Sequence, residues 1–249
     1  QMITDAALKA ARSCGYYNAG TVEFLVDGRR NFYFLEMNTR LQVEHPVTEM
    51  RTGIDIVREQ ILIAEGEPLR YSQGEIQPRG HAIECRIYAE DPGNDFLPSA
   101  GRIDYLRPAQ GPGVRIDSAL DTGIEITYFY DPLISKLVCW GQNRDQALRR
   151  TDRALRENSI SGVKTTIPFC LFVLNHPAFK KGEYDTQFIP RYYSKQSLLF
   201  TDDASELAAV ISSGLFDHQS QHSAHRIDSS SLGDGHSGWK AKRMEQFSE

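Results

Sequence analysis

The chain has 249 residues and a formal net charge of −5, a balance that argues against a general nucleic-acid surface, which is normally basic. Hydrophobic residues make up 40% and charged residues 24%, ordinary for a soluble globular protein with material for one large or two small domains. No apolar run reaches the roughly 18 residues of a membrane span, and no signal-peptide pattern opens the sequence.

Residues 4–13 read as a helix built on Ala6, Leu8, Ala10 and Ala11, capped by Thr4 or Asp5 and ended by Gly15. Two runs rich in β-branched and aromatic residues, 20–27 and 32–38, flank the turn-like Gly28-Arg29-Arg30-Asn31 and predict a β-hairpin. A helix is expected over 54–65, stopped by Gly66 with Pro68 beyond. Past Pro68 the texture changes to short strands near 80–89, 101–107, 114–119 and 133–141, separated by Pro/Gly clusters. Helices are predicted over 143–157, between Asn143 and Asn158, and over about 166–174, giving an α+β unit at roughly 68–195. One more helix is expected at 203–213, and the Ser-, His-, Asp- and Gly-rich stretch 217–238 reads as a linker. Cys14, Cys85, Cys139 and Cys170 form no Cys-x-x-Cys pair and read as buried free thiols of a reducing compartment.

The segment from Leu35 to His45 carries the chemistry. In an extended chain, side chains two apart share a face. Glu36, Asn38, Arg40, Gln42 and Glu44 would then point one way, and Met37, Leu41 and Val43, with Thr39, the other. A solvated edge strand alternates in the same manner, but here one face gathers two carboxylates, two amides and a guanidinium. With the loop at 28–31, Asp27 faces Phe32 and Glu23 faces Glu36. Directly opposed like charges destabilise a strand pair, so a cation is expected between them. It is either Mg²⁺ on hard oxygen ligands, with Asn38 adding its amide oxygen, or a Lys or Arg side chain. A one-residue slip in register would remove the argument. Further on, Ile83, Cys85 and Ile87 share one face of a strand and leave Glu84 and Arg86 on the other, which alone reads as a surface ladder. Lys136 reads as an edge residue, His45 has no assigned role, His81 reads as a packing or hydrogen-bonded residue, and His218, His222, His225 and His236 belong to the tail.

The run LEMNTRL resembles a signature shared by carbamoyl-phosphate synthases and biotin carboxylases, both ATP-grasp ligases, and its extension RLQVEHPVTE resembles biotin carboxylase. AGTVEFL at 19–25, RGHAIECRIYAEDP at 79–92, FLPSAGRI at 96–103, YDPLISKLVCWG at 130–141, NRDQAL at 143–148 and GVKTTIP at 162–168 continue the resemblance over about residues 5–195. It implies an α+β fold: the C-terminal part of an ATP-grasp fold with antiparallel sheet at 1–67, the biotin carboxylase C-terminal α+β domain at 68–195, and a partly disordered linker or tail at 196–249. It implies an ATP-dependent ligase that carboxylates biotin on a carrier protein, using bicarbonate through carboxyphosphate, within an acetyl-, propionyl- or methylcrotonyl-CoA carboxylase. A pyruvate carboxylase, another ATP-grasp ligase and a noncatalytic fragment are the alternatives.

By the same resemblance, Glu23, Glu36 and Asn38 hold Mg²⁺ or Mn²⁺, with Glu36 also at the ATP, and Leu25 packs the adenine. Arg40, Gln42 and the backbone of Val43 bind bicarbonate, Glu44 is the base, and Arg86 stabilises the biotin enolate. The implied partners are ATP, bicarbonate, a biotin carrier protein or domain, a second copy in a homodimer and a carboxyltransferase subunit, with no nucleic acid and no membrane. The implied location is the cytoplasm, or the mitochondrion in a eukaryote. The absence of a P-loop pattern is no objection, since ATP-grasp enzymes do not use one. In the family an amino-terminal domain, a Gly-rich lid and phosphate-gripping lysines precede the segment opened by Gln1. This chain alone is therefore expected to be weak or inactive as an ATPase, and to expose apolar surface along 20–27 and 32–38. The closing run Gly238-Trp239-Lys240-Ala241-Lys242-Arg243-Met244 looks like a linker towards a biotin-carrier segment, without a Met-Lys-Met motif.

Overall fold

In the computed structural model, which describes residues 2–198 and 211–213, helix α1 (Met2–Ser13) starts ahead of the expected cap. Thr4 and Asp5 therefore lie within it, and Gly15, at φ 61°, follows its end. The hairpin forms from β1 (Thr21–Val26) and β2 (Phe32–Asn38). At the turn the expected register is wrong by one: Val26, not Asp27, pairs with Phe32. Asp27 instead organises the loop, accepting hydrogen bonds from the backbone N–H groups of Arg29 (2.9 Å) and Asn31 (2.8 Å) and from the Asn31 amide (2.8 Å). These bonds hold its carboxyl below the usual carboxylate range, the Asn31 side chain most of all.

The pairing shifts between Phe24, opposite Phe34, and Glu23, opposite Glu36, so Leu35 is the extra residue of a β-bulge. The bulge cancels the slip and restores the acid pair face to face. Leu25, Val26, Tyr33, Phe34 and Leu35 are exposed, as expected for this hairpin. A second correction concerns its length. β2 ends at Asn38, and residues 39–44 form a loop rather than further strand. Glu44 takes the N-cap position of an unanticipated helix, α2 (His45–Thr52), with Pro46 in its first turn, where a missing N–H costs nothing. α3 (Ile56–Ala64) follows, capped by Asp55, which accepts from the Arg58 N–H at 2.9 Å.

Beyond these come β3 (His81–Tyr88), β4 (Glu90–Asp91), β5 (Leu97–Pro98), β6 (Gly101–Arg102), β7 (Tyr105–Arg107), β8 (Val114–Ser118), β9 (Glu125–Ile126), β10 (Leu133–Gly141), α4 (Arg144–Glu157), β11 (Ser159–Ser161), α5 (Ile167–Asn175), α6 (Pro177–Lys181) and α7 (Phe188–Tyr192). The strand expected at 101–107 is broken into β6 and β7 because Ile103 and Asp104 bond elsewhere, to Ile124 and Ser161. The organising sheet is antiparallel in the order β3-β10-β8, with β10 central. The short strands pair as β4-β5, β6-β9 and β7-β11.

Alternation along β3 and β10 divides this sheet into two faces. One face sends Ile83, Cys85, Ile87, Leu137 and Cys139 into the core with Ala147, Leu148, Ala154 and Leu155 of α4. The start of α4 is fixed by Asn143, which accepts from the Gln146 N–H at 2.9 Å. The other face carries Glu84, Arg86 and Lys136, and α2 lies against β3 and β10. The fold thus sets the loop 39–44 and α2 beside the polar side of a rigid sheet.

Cys85 and Cys139 are buried and Cys170 half-buried, but Cys14 is exposed, against expectation; all four are free. Burial pushes the Cys139 thiol up to about 11. The described residues 2–198 belong to one compact unit. Of the helix expected at 203–213, the described residues 211–213 are helical; the linker expected at 217–238 lies outside the described residues. Among the described residues no helix is long and apolar enough to cross a membrane.

Candidate active site

Two clusters face the loop 39–44. The first is the acid pair. Glu23 and Glu36 sit opposite one another, and the Asn38 amide lies between them. Its Nδ2 donates to Glu23 Oε1 at 2.8 Å and to Glu36 Oε1 at 3.3 Å. The Gln42 Nε2 approaches Glu23 Oε1 at 3.5 Å. Among the described residues no Lys or Arg forms an ion pair with either acid, so amide N–H groups relieve the repulsion in place of a side-chain cation. Turning the Asn38 amide about its last bond replaces N–H donors by Oδ1. The three side chains then present only hard oxygens, a donor set that suits Mg²⁺ or Mn²⁺ completed by phosphate oxygens. Among the described residues no group of three or more His, Cys, Asp or Glu side chains is placed to hold a metal.

The second cluster joins the loop to the sheet. Arg86, on β3, donates from Nη2 to Glu44 Oε2 at 2.7 Å across 42 positions of sequence. Both side chains are partly exposed, at 38% and 50%. An ion pair so open to water contributes only about 0–1 kcal/mol, so its importance is geometric. Arg86 Nε also lies 3.5 Å from Glu84 Oε1, whose side chain is 6% exposed. Neither Glu84 oxygen has a hydrogen-bond partner. Burial raises the Glu84 pKa, and the opposing pull of Lys136 and Arg86 does not cancel the effect.

A carboxyl whose folded pKa is raised favours folding while it is protonated. That contribution is complete below the usual carboxylate range and is lost as pH rises through the raised value. The stability of Glu84→Gln relative to the parent is therefore expected to rise from about pH 4 to neutrality. Urea unfolding at the two pH values measures this. A relative stability that falls over that range would show that Arg86, Lys136 and the surrounding charges more than offset burial.

Lys136 is a correction to the edge reading. It sits mid-way along the central strand, opposite Arg86 on one side and Asp117 on the other, with a side chain 14% exposed. Its Nζ donates to the Val43 carbonyl at 3.2 Å and lies 3.6 Å from Asp117 Oδ2. Asp117 is also held by Arg115 through bonds of 2.7 and 2.8 Å, and Arg115 reaches Glu49 of α2 at 2.6 Å. His45 Nδ1 lies 3.0 Å from the Gln42 carbonyl oxygen. His81 is a hydrogen-bonded residue as expected, 3.2 Å from Arg144 Nη1, and burial lowers its pKa.

The structure therefore gathers Glu23, Glu36, Asn38 and Gln42 into one cluster and links Glu44 to Arg86 and Val43 to Lys136. Arg40 turns back on the loop, donating to the Leu41 carbonyl at 3.2 Å, and Leu25 stands exposed two residues along β1 from Glu23. Lys136, Glu84 and Asp117 were missed as site residues. The available signal was a lysine in the middle of a nine-residue strand otherwise free of charge, which demands a buried partner.

Residues 84–191 match the family model of the biotin carboxylase C-terminal domain. Residues 1–72 match the carbamoyl-phosphate synthase L chain, ATP binding domain. The chain is 55% identical over 188 residues to a pyruvate carboxylase subunit of Methanothermobacter thermautotrophicus, covering 76% of this chain and 38% of that protein. It is 48% identical over 218 residues to the mitochondrial propionyl-CoA carboxylase alpha chain of Mus musculus, covering 86% of this chain and 30% of that protein. Among solved structures, the biotin carboxylase domain dimer of Hydrogenobacter thermophilus 2-oxoglutarate carboxylase, in complex with MgADP, ADP and bicarbonate, superposes with a TM-score of 0.75 at 47% identity, covering 79% of this chain and 43% of that one. The chain thus spans less than half the length of each of these relatives.

Proposed function

We propose that the chain, whose two matched parts are those of biotin carboxylases, is part of such an ATP-dependent ligase and supplies the bicarbonate-activating and biotin-facing residues for carboxylation of a carrier-bound biotin. The observation that carries this reading is the 2.7 Å bond from Arg86 to Glu44. It brings the candidate base and the candidate enolate cation within hydrogen-bond reach of one another.

In the proposed reaction, Arg40, Gln42 and the Val43 backbone hold bicarbonate. A guanidinium suits a planar oxyanion because it can donate two parallel hydrogen bonds. Glu44 takes the bicarbonate proton, and an oxygen of the anion attacks the γ-phosphorus of ATP as the bond to ADP breaks. Carboxyphosphate then yields CO₂ and phosphate. The phosphate removes the N1′ proton of biotin, the resulting enolate is held by Arg86, and N1′ attacks CO₂. A fixed cation where negative charge develops lowers the barrier. Mg²⁺ or Mn²⁺ on Glu23, Glu36 and Asn38 would neutralise the ATP phosphates, and Leu25 would pack against the adenine. In this reading residues 1–67 provide the ATP and bicarbonate side, residues 68–195 provide Arg86 and the supporting sheet, and residues 196–249 are a linker or tail.

The acceptor we favour is an acyl-CoA, with a biotin carrier and a carboxyltransferase as partners and a second copy of the chain in a homodimer. The longer alignment to the propionyl-CoA carboxylase alpha chain, 218 residues against 188, supports that choice. Pyruvate is the second reading, favoured by the higher identity to the Methanothermobacter pyruvate carboxylase. The test is ATP cleavage by the complete gene product with and without bicarbonate and free biotin. Cleavage that requires both supports the proposal; cleavage indifferent to both refutes it.

A further inference from the structure

We propose that Lys136 is a positioning residue that locks the Gln42–Val43–Glu44 segment against the central sheet, and so sets where bicarbonate and the base meet. What the segment does rests on the biotin carboxylase reading; that Lys136 tethers it rests on geometry alone. An ammonium on a central strand loses much of its hydration and needs partners for its three donors. The structure supplies the Val43 carbonyl at 3.2 Å and the Asp117 carboxylate at 3.6 Å.

The Val43 carbonyl belongs to the peptide unit that joins Val43 to Glu44, so gripping it orients the backbone from which the Glu44 side chain leaves. Arg86 lies directly opposite Lys136 across the β3–β10 pair and holds the Glu44 carboxylate at 2.7 Å. Two neighbouring cations on one sheet face therefore grip the backbone and the side chain of the same short segment. Left alone they would repel. Glu84, diagonal to Lys136 and 3.5 Å from Arg86, and Asp117, on the far side, offset that repulsion.

The test compares Lys136→Met, which keeps the stem and loses the donors, with Lys136→Arg, which keeps charge and donors. In the complete gene product, Lys136→Met is expected to raise the bicarbonate KM about tenfold while the ATP KM stays within about twofold, with Lys136→Arg recovering most of the loss. Hydrogen exchange at residues 40–45 should quicken in Lys136→Met and return towards the parent rate in Lys136→Arg. A role in stability alone would lower Tm with the bicarbonate KM unmoved. A folded Lys136→Met with parental exchange and parental bicarbonate KM overturns the proposal. If Lys136→Met does not fold, Asp117→Asn decides: faster exchange at 40–45 supports the tether, and parental exchange overturns it. A parent protein whose ATP cleavage ignores bicarbonate would refute the proposed function, while the exchange measurement would still decide the tether.

Discussion

In the complete gene product, Glu44→Gln is expected to reduce bicarbonate-dependent ATP cleavage by about 10²- to 10⁴-fold, the range over which a positioned base contributes, while MgATP binding stays close to that of the parent. The substitution is close to isosteric. The glutamine oxygen can still accept from Arg86, so the 2.7 Å link between loop and sheet has a replacement. What disappears is the capacity to take a proton. Glu44 has no assigned contact with nucleotide, and the acid pair lies on a different element, the hairpin β1–β2. Calorimetric titration with MgATP beside steady-state turnover separates the two effects. Parental turnover would remove Glu44 from the mechanism, and lost nucleotide binding would show that its role is structural.

The second large effect is on stability. Gly162→Ala is expected to cost about 3 kcal/mol or more. Gly162 follows β11 at φ 97°, a left-handed conformation that alanine adopts only with strain. An added Cβ would collide with the Arg102 carbonyl oxygen and lie 2.8 Å from the Asp104 nitrogen. Both are backbone atoms, and Asp104 is already bound to Ser161, so neither can swing aside as a flexible side chain would. The damage should reach the site. Four residues on, Thr166 secures the edge of β3: its hydroxyl donates to the Arg86 carbonyl at 3.1 Å and accepts from the Tyr88 N–H at 3.0 Å. Urea unfolding monitored by tryptophan fluorescence measures the cost. A loss below about 1 kcal/mol would contradict this account of the Gly162 turn.

Much of the secondary structure was legible because side-chain pattern and burial agree. β10 was expected at 133–141 and occupies Leu133–Gly141, since its run of buried apolar residues admits one alignment with the core. Asn143 was expected to open α4, and it caps that helix. The hairpin shows where local reasoning stops. The turn register was wrong by one and Glu23 still met Glu36, because a bulge at Leu35 absorbed the difference. A bulge depends on how two strands accommodate one another and leaves little trace in either strand alone. The strand expected through residue 44 ended at Asn38, because Pro46 and the first turn of α2 impose a helix start at Glu44. Glu36, Asn38 and Gln42 therefore gather at Glu23 from strand and loop together, while Glu44 pairs with Arg86 and Arg40 turns back on the loop. Lys136 was misread because its partners, Val43 and Asp117, lie 93 and 19 positions away, and only the sheet order places β10 between β3 and β8.

The most direct test of the account follows an oxygen atom. If bicarbonate is the nucleophile toward ATP, turnover of the complete gene product with ¹⁸O-labelled bicarbonate should place one labelled oxygen in each phosphate released, because the attacking oxygen stays on phosphorus when carboxyphosphate gives up CO₂. Phosphate that takes its new oxygen from water instead would mean that the loop beside Arg86 does not present bicarbonate to ATP.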